Sequence, residues 1–156
     1  MDIANLLAPE RVRCGVEATS KKRTLELLSE LLTGDAADPA TRSVFESLIG
    51  RERLGATGLG HGVALPHARI ANLERPIAAL VTLAEPVDFD AIDKQPVDLL
   101  FALLVPEQST NEHLLILRSL AEMFSDSGLC DRLRKSRSGD EMLTHVTRWQ
   151  GNGAAS

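Results

Sequence analysis

A glycine-rich segment that ends in a proline–histidine pair is the part of the chain best suited to chemistry. Four glycines lie from Gly55 to Gly62, and Leu65, Pro66 and His67 follow. Glycines let a backbone approach another surface closely, and Pro66 restricts its own backbone and that of Leu65. The imidazole of His67 is therefore presented in a defined direction. A neutral imidazole is a nucleophile near pH 7, although these residues alone also fit a hydrogen-bonded structural histidine.

The glycines do not form a generic phosphate-binding loop. Gly58 and Gly60, or Gly60 and Gly62, give a GxG pattern. The third glycine of the dinucleotide fingerprint is missing, and no Lys-Ser or Lys-Thr pair follows as it would in a P-loop. The segment therefore points to His67 itself rather than to a bound nucleotide.

The sequence predicts neither a metal site nor a cofactor. Asp88, Asp90 and Asp93 lack the glycine and the glutamate that an EF-hand loop needs, so we interpret them as turn residues between strands. Cys14 and Cys130 show no zinc-binding or redox spacing. Both are expected to be reduced thiols that pack as small hydrophobic side chains.

Composition excludes several classes of function. The 156 residues include 17 Lys+Arg and 22 Asp+Glu, for a net charge of −5, and only 3% are aromatic. Nucleic-acid binding needs clustered positive charge or stacking aromatics, so it is not expected. The longest apolar stretch, Leu99 to Val105, is far shorter than the roughly 20 residues of a membrane span. The first residues do not resemble a signal peptide, so a cytoplasmic location is expected.

Capping residues and apolar stripes predict five helices around the glycine-rich segment. The first runs from Ser20 to Leu32 with Gly34 as the stop, and the second from Asp38-Pro39 to near Arg53. The third begins at the capping box Ser109–Glu112, and the fourth runs from near Leu129 to Lys135. The fifth begins at Ser138, with Glu141 three residues later.

Three extended segments are also predicted, at Gly62 to Leu65, Ile77 to Leu83 and Val97 to Val105. The last two are almost continuously apolar, which is typical of strands that are buried on both faces. Such strands require helices above and below the sheet. The predicted fold is a single α/β domain over residues 1–150, with a mostly buried sheet between helices and a flexible tail at 151–156.

Two stretches resemble a known family. Gly58-Leu-Gly-His-Gly-Val-Ala-Leu-Pro-His67 is similar to the signature of the mannitol/fructose-type enzyme IIA domains of the bacterial phosphoenolpyruvate phosphotransferase system. The block from Phe89 to Pro106 resembles the nitrogen-regulatory branch of that family. The resemblance covers Ile3 to about Trp149, and it implies a mixed sheet with helices on both faces.

The resemblance implies a phosphocarrier in which His67 accepts a phosphoryl group from the phosphohistidine of an HPr-like carrier protein. We expect Nε2 to react, giving tele-phosphohistidine, while a backbone carbonyl or a carboxylate holds Nδ1–H. Arg51 and His113 match the family's arginine and second histidine, which stabilise the phosphoryl group, and Thr57 matches a hydroxyl position. Without the family, Arg51 would be interpreted as a cation at a helix end and His113 as a half-buried helix residue.

This chain departs from the family's pattern at two positions. His61 stands where asparagine is expected, and we expect its side chain to face solvent. Ala68 follows His67 where glycine is common, which suggests an ordinary negative φ after the histidine. Arg69 is expected near the site, either to dock an acidic surface or as a solvated charge.

Three functions follow from these residues and the resemblance. The first is a phosphotransferase component, a phosphocarrier rather than a turnover enzyme on a small substrate. A carrier of the nitrogen branch phosphorylates it, and its phosphorylation state regulates target proteins. The second is a sugar-transport enzyme IIA that passes phosphate to an enzyme IIB partner. The third is a protein-binding module that is not phosphorylated, against which the presence of Arg51, His67 and His113 argues.

Overall fold

The computed structural model of the chain describes residues 3–109 and 111–154. Two short 3₁₀ helices, Ile3–Leu6 and Pro9–Arg11, come first. The strands are β1 (Val12–Val16), β2 (Gly58–Gly60), β3 (Val63–Ala64), β4 (His67–Ile70), β5 (Ile77–Val87) and β6 (Val97–Pro106). The helices are α1 (Lys21–Thr33), α2 (Pro39–Leu54), α3 (Asn111–Phe124), α4 (Ser127–Lys135) and α5 (Gly139–Ala154).

The strands form one mixed sheet in the order β1-β5-β6-β3-β2, and β4 also pairs with β6. β5 and β6 pair antiparallel along most of their length, whereas β1 runs parallel to β5. β3 and β4 both run parallel to β6, one after the other. The register of β4 places His67 opposite Leu103. The mixed sheet is the one that the family resemblance implies.

Helices cover both faces of the sheet, as the sequence predicts. Along β6, Leu99, Phe101 and Leu103 belong to the core shared with α3, α4 and α5. The alternate residues Leu100 and Ala102 belong to the core shared with α1 and α2. Because successive strand side chains point to opposite faces, this continuous apolar run is buried on both sides. β6 is thereby fixed at the centre of the molecule.

The predicted helix signals are confirmed where the structure describes them. Ser20 caps α1 through a backbone hydrogen bond of 3.0 Å, and Gly34 ends it with a left-handed φ of 85°. Asp38 caps α2 in the same way, at 2.9 Å. Ser138 caps α5 by accepting from the N–H of Glu141 at 3.1 Å.

Two predictions fall partly outside the described residues. The capping box before α3 includes Thr110, which is one of the residues outside the description, and α3 is described from Asn111. α5 is described as far as Ala154, and Ala155 and Ser156 lie outside the described residues. The flexible tail at 151–156 stays a prediction. Within residues 3–109 and 111–154, no helix combines the length and the apolar character that crossing a membrane requires.

The strands around the glycine-rich segment differ from the prediction. The segment predicted as Gly62 to Leu65 pairs only at Val63–Ala64, and His67 begins the additional strand β4. Pro66 separates the two strands because it has no N–H to donate. Its carbonyl still accepts from Leu103 at 2.9 Å. The chain therefore stays beside β6 from β3 to β4, and the break between these two strands comes directly before His67.

Candidate active site

His67 is held in one tautomer by the backbone of its own segment. The residue is half-buried, and its Nδ1 lies 2.7 Å from the carbonyl oxygen of Leu65. A carbonyl only accepts hydrogen bonds, so Nδ1 carries the proton. In the neutral ring, the lone pair is then on Nε2. This is the arrangement expected for a histidine that reacts through Nε2.

His113 is held in the opposite tautomer by the opposite kind of partner. It lies in the first turn of α3 and is buried, and its ring centroid is 5.5 Å from that of His67. Nε of Arg69 donates to Nδ1 of His113 at 3.4 Å. Since Nδ1 accepts, the proton of the neutral ring is on Nε2. That Nε2 is buried and has no hydrogen-bond partner among the described residues, which leaves a donor for an additional group.

Arg51 brings a positive charge to the two histidines from the last turn of α2. One of its terminal nitrogens donates to the carbonyl oxygen of Gly55 at 2.8 Å, which ties the guanidinium to the start of the glycine-rich segment. A guanidinium has five N–H donors, and this bond uses one of them. Such a group suits the equatorial oxygens of a phosphoryl group.

Burial and neighbouring cations keep both histidines neutral. Burial lowers the pKa of His67 most, and the charge of Arg51 lowers it further. The hydrogen bond to Leu65 and the charge of Glu52 act in the opposite direction, and the net pKa is below that of an ordinary histidine. The pKa of His113 is lowered by burial, then by His67, Arg69 and Arg51. The site thus combines neutral imidazoles with fixed positive charge.

Thr57 is linked to the segment of His67 by its carbonyl, which accepts from the N–H of Leu65, but its hydroxyl already has an acceptor. It donates to the carboxylate of Glu52, and the Thr57 N–H donates to the same carboxylate at 3.3 Å. Glu52 in turn forms a salt bridge with Nζ of Lys21 at 2.9 Å. Sequence reasoning missed both Glu52 and Lys21. A signal was present, since Glu52 continues the inward stripe of Val44 and Leu48, and a charge on such a stripe is expected to be paired.

The two departures from the family's pattern both have a conformational basis. His61 is exposed in the turn between β2 and β3, with a φ of 56°. Asparagine and histidine are among the residues that tolerate this left-handed region. Ala68 is buried in β4 and is not one of the residues with positive φ. Both observations agree with the expectations from the sequence.

The three aspartates between β5 and β6 form turns. Asp88 accepts from the N–H of Asp90, and Asp93 accepts from the N–H of Gln95. Asp93 also accepts from the N–H of His61 at 2.9 Å. In the described ranges, no three His, Cys, Asp or Glu side chains are grouped as ligands of a metal ion.

The fold and the site together define a small α/β protein in which an oriented, neutral histidine lies in a positively charged setting. Such a site suits the transfer of an anionic group. The family model described as "Phosphoenolpyruvate-dependent sugar phosphotransferase system, EIIA 2" matches residues 5–148. The chain belongs to this family, and membership supports a role as a phosphocarrier component of a phosphotransferase system.

Similar proteins include nitrogen regulatory proteins and a sugar-specific component. The chain is 43% identical over 144 residues to a nitrogen regulatory protein of Pseudomonas aeruginosa, covering 92% of this chain and 94% of that one. The crystal structure of the nitrogen regulatory protein IIA-Ntr from Neisseria meningitidis matches with a TM-score of 0.82 at 39% identity, covering 93% and 99% of the two chains. A fructose-specific EIIA component of Haloferax volcanii is 29% identical over 137 residues, covering 88% and 89%.

Proposed function

We propose that the chain is a regulatory phosphocarrier whose His67 accepts a phosphoryl group from an HPr-like carrier protein of the nitrogen branch. The observation that carries this proposal is the hydrogen bond from Nδ1 of His67 to Leu65, because it leaves the lone pair of Nε2 free beside Arg51 and His113. The similarity to nitrogen regulatory proteins supports the branch.

The transfer needs little from the protein beyond orientation and charge. Nε2 of His67 attacks the phosphorus of the donor's phosphohistidine, and the donor's P–N bond breaks as the new P–N bond forms. The electron pair of the broken bond returns to the donor imidazole. His67 keeps its Nδ1 proton throughout, so the chain releases no proton.

In this proposal, two groups stabilise the transferred phosphoryl group. Arg51 supplies a permanent positive charge with several N–H donors, and His113 supplies the buried Nε2–H that has no partner among the described residues. Both act on charge that develops on the equatorial oxygens. Thr57 stays a predicted third donor, and its hydroxyl would first have to leave Glu52.

Phosphorylation would act as a charge switch on target proteins in the cytoplasm. A phosphoryl group adds about −1.5 to −2 charges at pH 7, beside Arg51 and Arg69. Such a change strengthens or prevents docking of a partner at this surface. The regulated targets would therefore bind one phosphorylation state in preference to the other.

The test is the intact mass of the protein after incubation with phosphoenolpyruvate, enzyme I and a carrier protein. The sample is kept at neutral to mildly alkaline pH, where phosphohistidine survives. We expect one added phosphoryl group on the wild type and none on His67→Ala. A folded wild type that accepts nothing from nitrogen-branch or sugar-branch carriers would leave the binding module as the function.

The second candidate is a sugar-transport EIIA, which the likeness to the fructose-specific component favours. In that function the phosphorylated protein passes its group to a cysteine or histidine of an enzyme IIB partner. Purified phosphoprotein incubated with candidate IIB proteins separates the two functions. Rapid loss of the phosphoryl group to a IIB protein would support sugar transport over regulation.

A further inference from the structure

A buried carboxylate lies behind the reacting histidine. The Glu52 side chain is only 3% exposed, although it belongs to the last turn of α2. Both of its oxygens have partners: one accepts from the hydroxyl of Thr57, and the other contacts Lys21 and the N–H of Thr57. A buried charge is costly unless it is paired and hydrogen-bonded, and Glu52 meets both conditions.

A continuous line of hydrogen bonds connects this carboxylate to His67. Glu52 holds the N–H and the hydroxyl of Thr57, and the carbonyl of Thr57 accepts from the N–H of Leu65 at 3.0 Å. The carbonyl of Leu65 accepts from Nδ1–H of His67 at 2.7 Å. Each bond fixes the group that makes the next one, so the orientation of the Leu65 carbonyl depends on Thr57 and Glu52.

Lys21 anchors the far end of the line. Its Nζ lies 2.9 Å from Glu52, donates to the carbonyl of Phe89 at 3.4 Å and lies 3.5 Å from Asp90. The same nitrogen lies over the Phe89 ring, 5.2 Å from its centroid. These contacts join α1, α2 and the loop after β5 at one point. The charge of the carboxylate is thereby balanced by Lys21, which contacts the same Glu52 oxygen that accepts from the N–H of Thr57.

We propose that Glu52 is a positioning residue for the phosphoryl acceptor and acts through Thr57 and Leu65 to hold His67 in the tautomer that leaves Nε2 free. The inference rests on the proposed function for its catalytic consequence. It also assigns Thr57 a role different from the one the family resemblance implies. The Thr57 hydroxyl orients the backbone through Glu52 and does not donate to the phosphoryl group.

Three variants test the line. Glu52→Gln removes the charge and one acceptor, Thr57→Val removes the hydroxyl at nearly constant shape, and Thr57→Ser restores a hydroxyl. Glu46→Gln is the matched control, because Glu46 is an exposed partner of Arg42 on the same helix. The readouts are the rate of phosphoryl acceptance from the carrier and the ¹⁵N shifts of the His67 ring in the unphosphorylated protein, with the melting temperature of each variant.

We expect Glu52→Gln and Thr57→Val each to slow acceptance about tenfold, the usual effect of losing a hydrogen bond to a charged group. Both should increase the fraction of His67 with its proton on Nε2. Thr57→Ser and Glu46→Gln should stay within about twofold of the wild type. The double variant of Glu52 and Thr57 should be no slower than the slower single variant, because the two residues act in one line.

Two results would overturn the proposal. If Thr57→Val slows acceptance while Glu52→Gln does not, and the His67 ring shifts stay unchanged, the hydroxyl acts directly on the phosphoryl group. If both variants keep the wild-type rate and ring shifts, the line has no positioning role. A wild type that accepts no phosphoryl group would refute the proposed function, and the ring shifts would still decide whether Glu52 sets the tautomer.

Discussion

At the scale of single residues, one side-chain type supplies two different functions in this site. Nδ1 of His67 faces a carbonyl and must donate, whereas Nδ1 of His113 faces the guanidinium of Arg69 and must accept. The neutral rings are therefore the opposite of each other at Nε2: His67 offers a lone pair and His113 offers an N–H. In the proposed transfer, the hydrogen-bond partner, and not the residue type, determines which histidine is the nucleophile and which is the donor.

The lowered pKa of His67 gives a pH dependence with a definite sign. Only the neutral ring has a lone pair, and burial together with Arg51 shifts protonation to a lower pH than usual. The rate of phosphoryl acceptance should therefore fall as the pH is lowered, with its half-maximal point below the usual histidine pKa of about 6.5. Rates measured with a fixed carrier concentration, and an NMR titration of the His67 ring, check this.

The carrier titrates as well, so its transfer to a second acceptor protein is the control for the kinetic profile. The NMR midpoint needs no such correction, because it is measured on the chain alone. A midpoint above about 6.5 would contradict the dominance of burial and Arg51 over the opposing effects of Leu65 and Glu52.

At the scale of elements, the β2–β3 hairpin controls how the chain reaches His67. Gly60, His61 and Gly62 all have positive φ, at 90°, 56° and 79°. Such conformations give a tight turn that matches the twist of paired strands. Arg134 of α4 donates to the carbonyl of His61 at 2.6 Å, and Asp93 accepts from the N–H of His61 at 2.9 Å. The turn is therefore fixed from two sides.

Gly62→Ala should destabilise the protein by about 1–3 kcal/mol. The new Cβ would lie 2.7 Å from a guanidinium nitrogen of Arg134 and 3.1 Å from a carboxylate oxygen of Asp98, at a left-handed φ. Urea unfolding measures the change. Gly50→Ala is the control, since Gly50 lies within α2 with nothing near its Cβ position, and it should stabilise by about 0.5–1 kcal/mol. Equal midpoints for Gly62→Ala and the wild type would show that the turn adapts.

The sequence predicts the helices of this fold better than its strands, for a physical reason. Caps such as Ser20 and Asp38 act within one turn of their own helix, so the signal is local. β4 has four residues and pairs with β6 far along the chain. β1 contains Arg13 and Gly15, and only Val12 in it is buried. Nothing within these short segments specifies a partner strand, so neither was predicted.

The site shows the same division between local and distant signals. The glycine-rich segment and His67 stand out as a contiguous pattern, and Arg51 and His113 follow from the family resemblance. The Lys21–Glu52 pair joins the start of α1 to the end of α2, so it depends on how the helices pack. Spacing along the chain cannot indicate such a pair, although the inward position of Glu52 shows that a partner is required.

At the scale of the whole molecule, several exposed apolar side chains lie close along the chain to residues of the candidate site. In the described part of the chain, the large exposed hydrophobic residues are Leu54, Leu59, Ile92, Leu114 and Leu115. Leu54 follows Arg51 on α2, and Leu114 and Leu115 follow His113 on α3. Exposed apolar groups that share one surface are typical of docking sites. For the proposed phosphocarrier, we expect the carrier protein to contact Leu54 and Leu115, which lie close along the chain to Arg51 and His113.

If the carrier docks at these leucines, replacing them should raise the KM for the carrier and leave the maximal rate nearly unchanged. Leu54 and Leu115 are 85% and 59% exposed, so replacing both by serine should change the melting temperature little. The same change removes apolar contact area at an interface, where truncating a well-packed anchor residue costs more than about 1 kcal/mol. We expect the KM for the phosphorylated carrier to rise about tenfold or more, while the maximal rate changes far less, because Arg51, His67 and His113 are untouched.

Arg148→Ser is the matched control, because Arg148 is an exposed residue of α5, the helix that packs against β1 at the far edge of the sheet from β2 and β3. Its KM should equal that of the wild type. An unchanged KM for the Leu54→Ser/Leu115→Ser protein would mean that the carrier does not use this apolar surface. A loss of maximal rate at unchanged KM would instead place one of the leucines in the support of the reacting groups. The direction of the split thus separates recognition of the partner from the chemistry at His67.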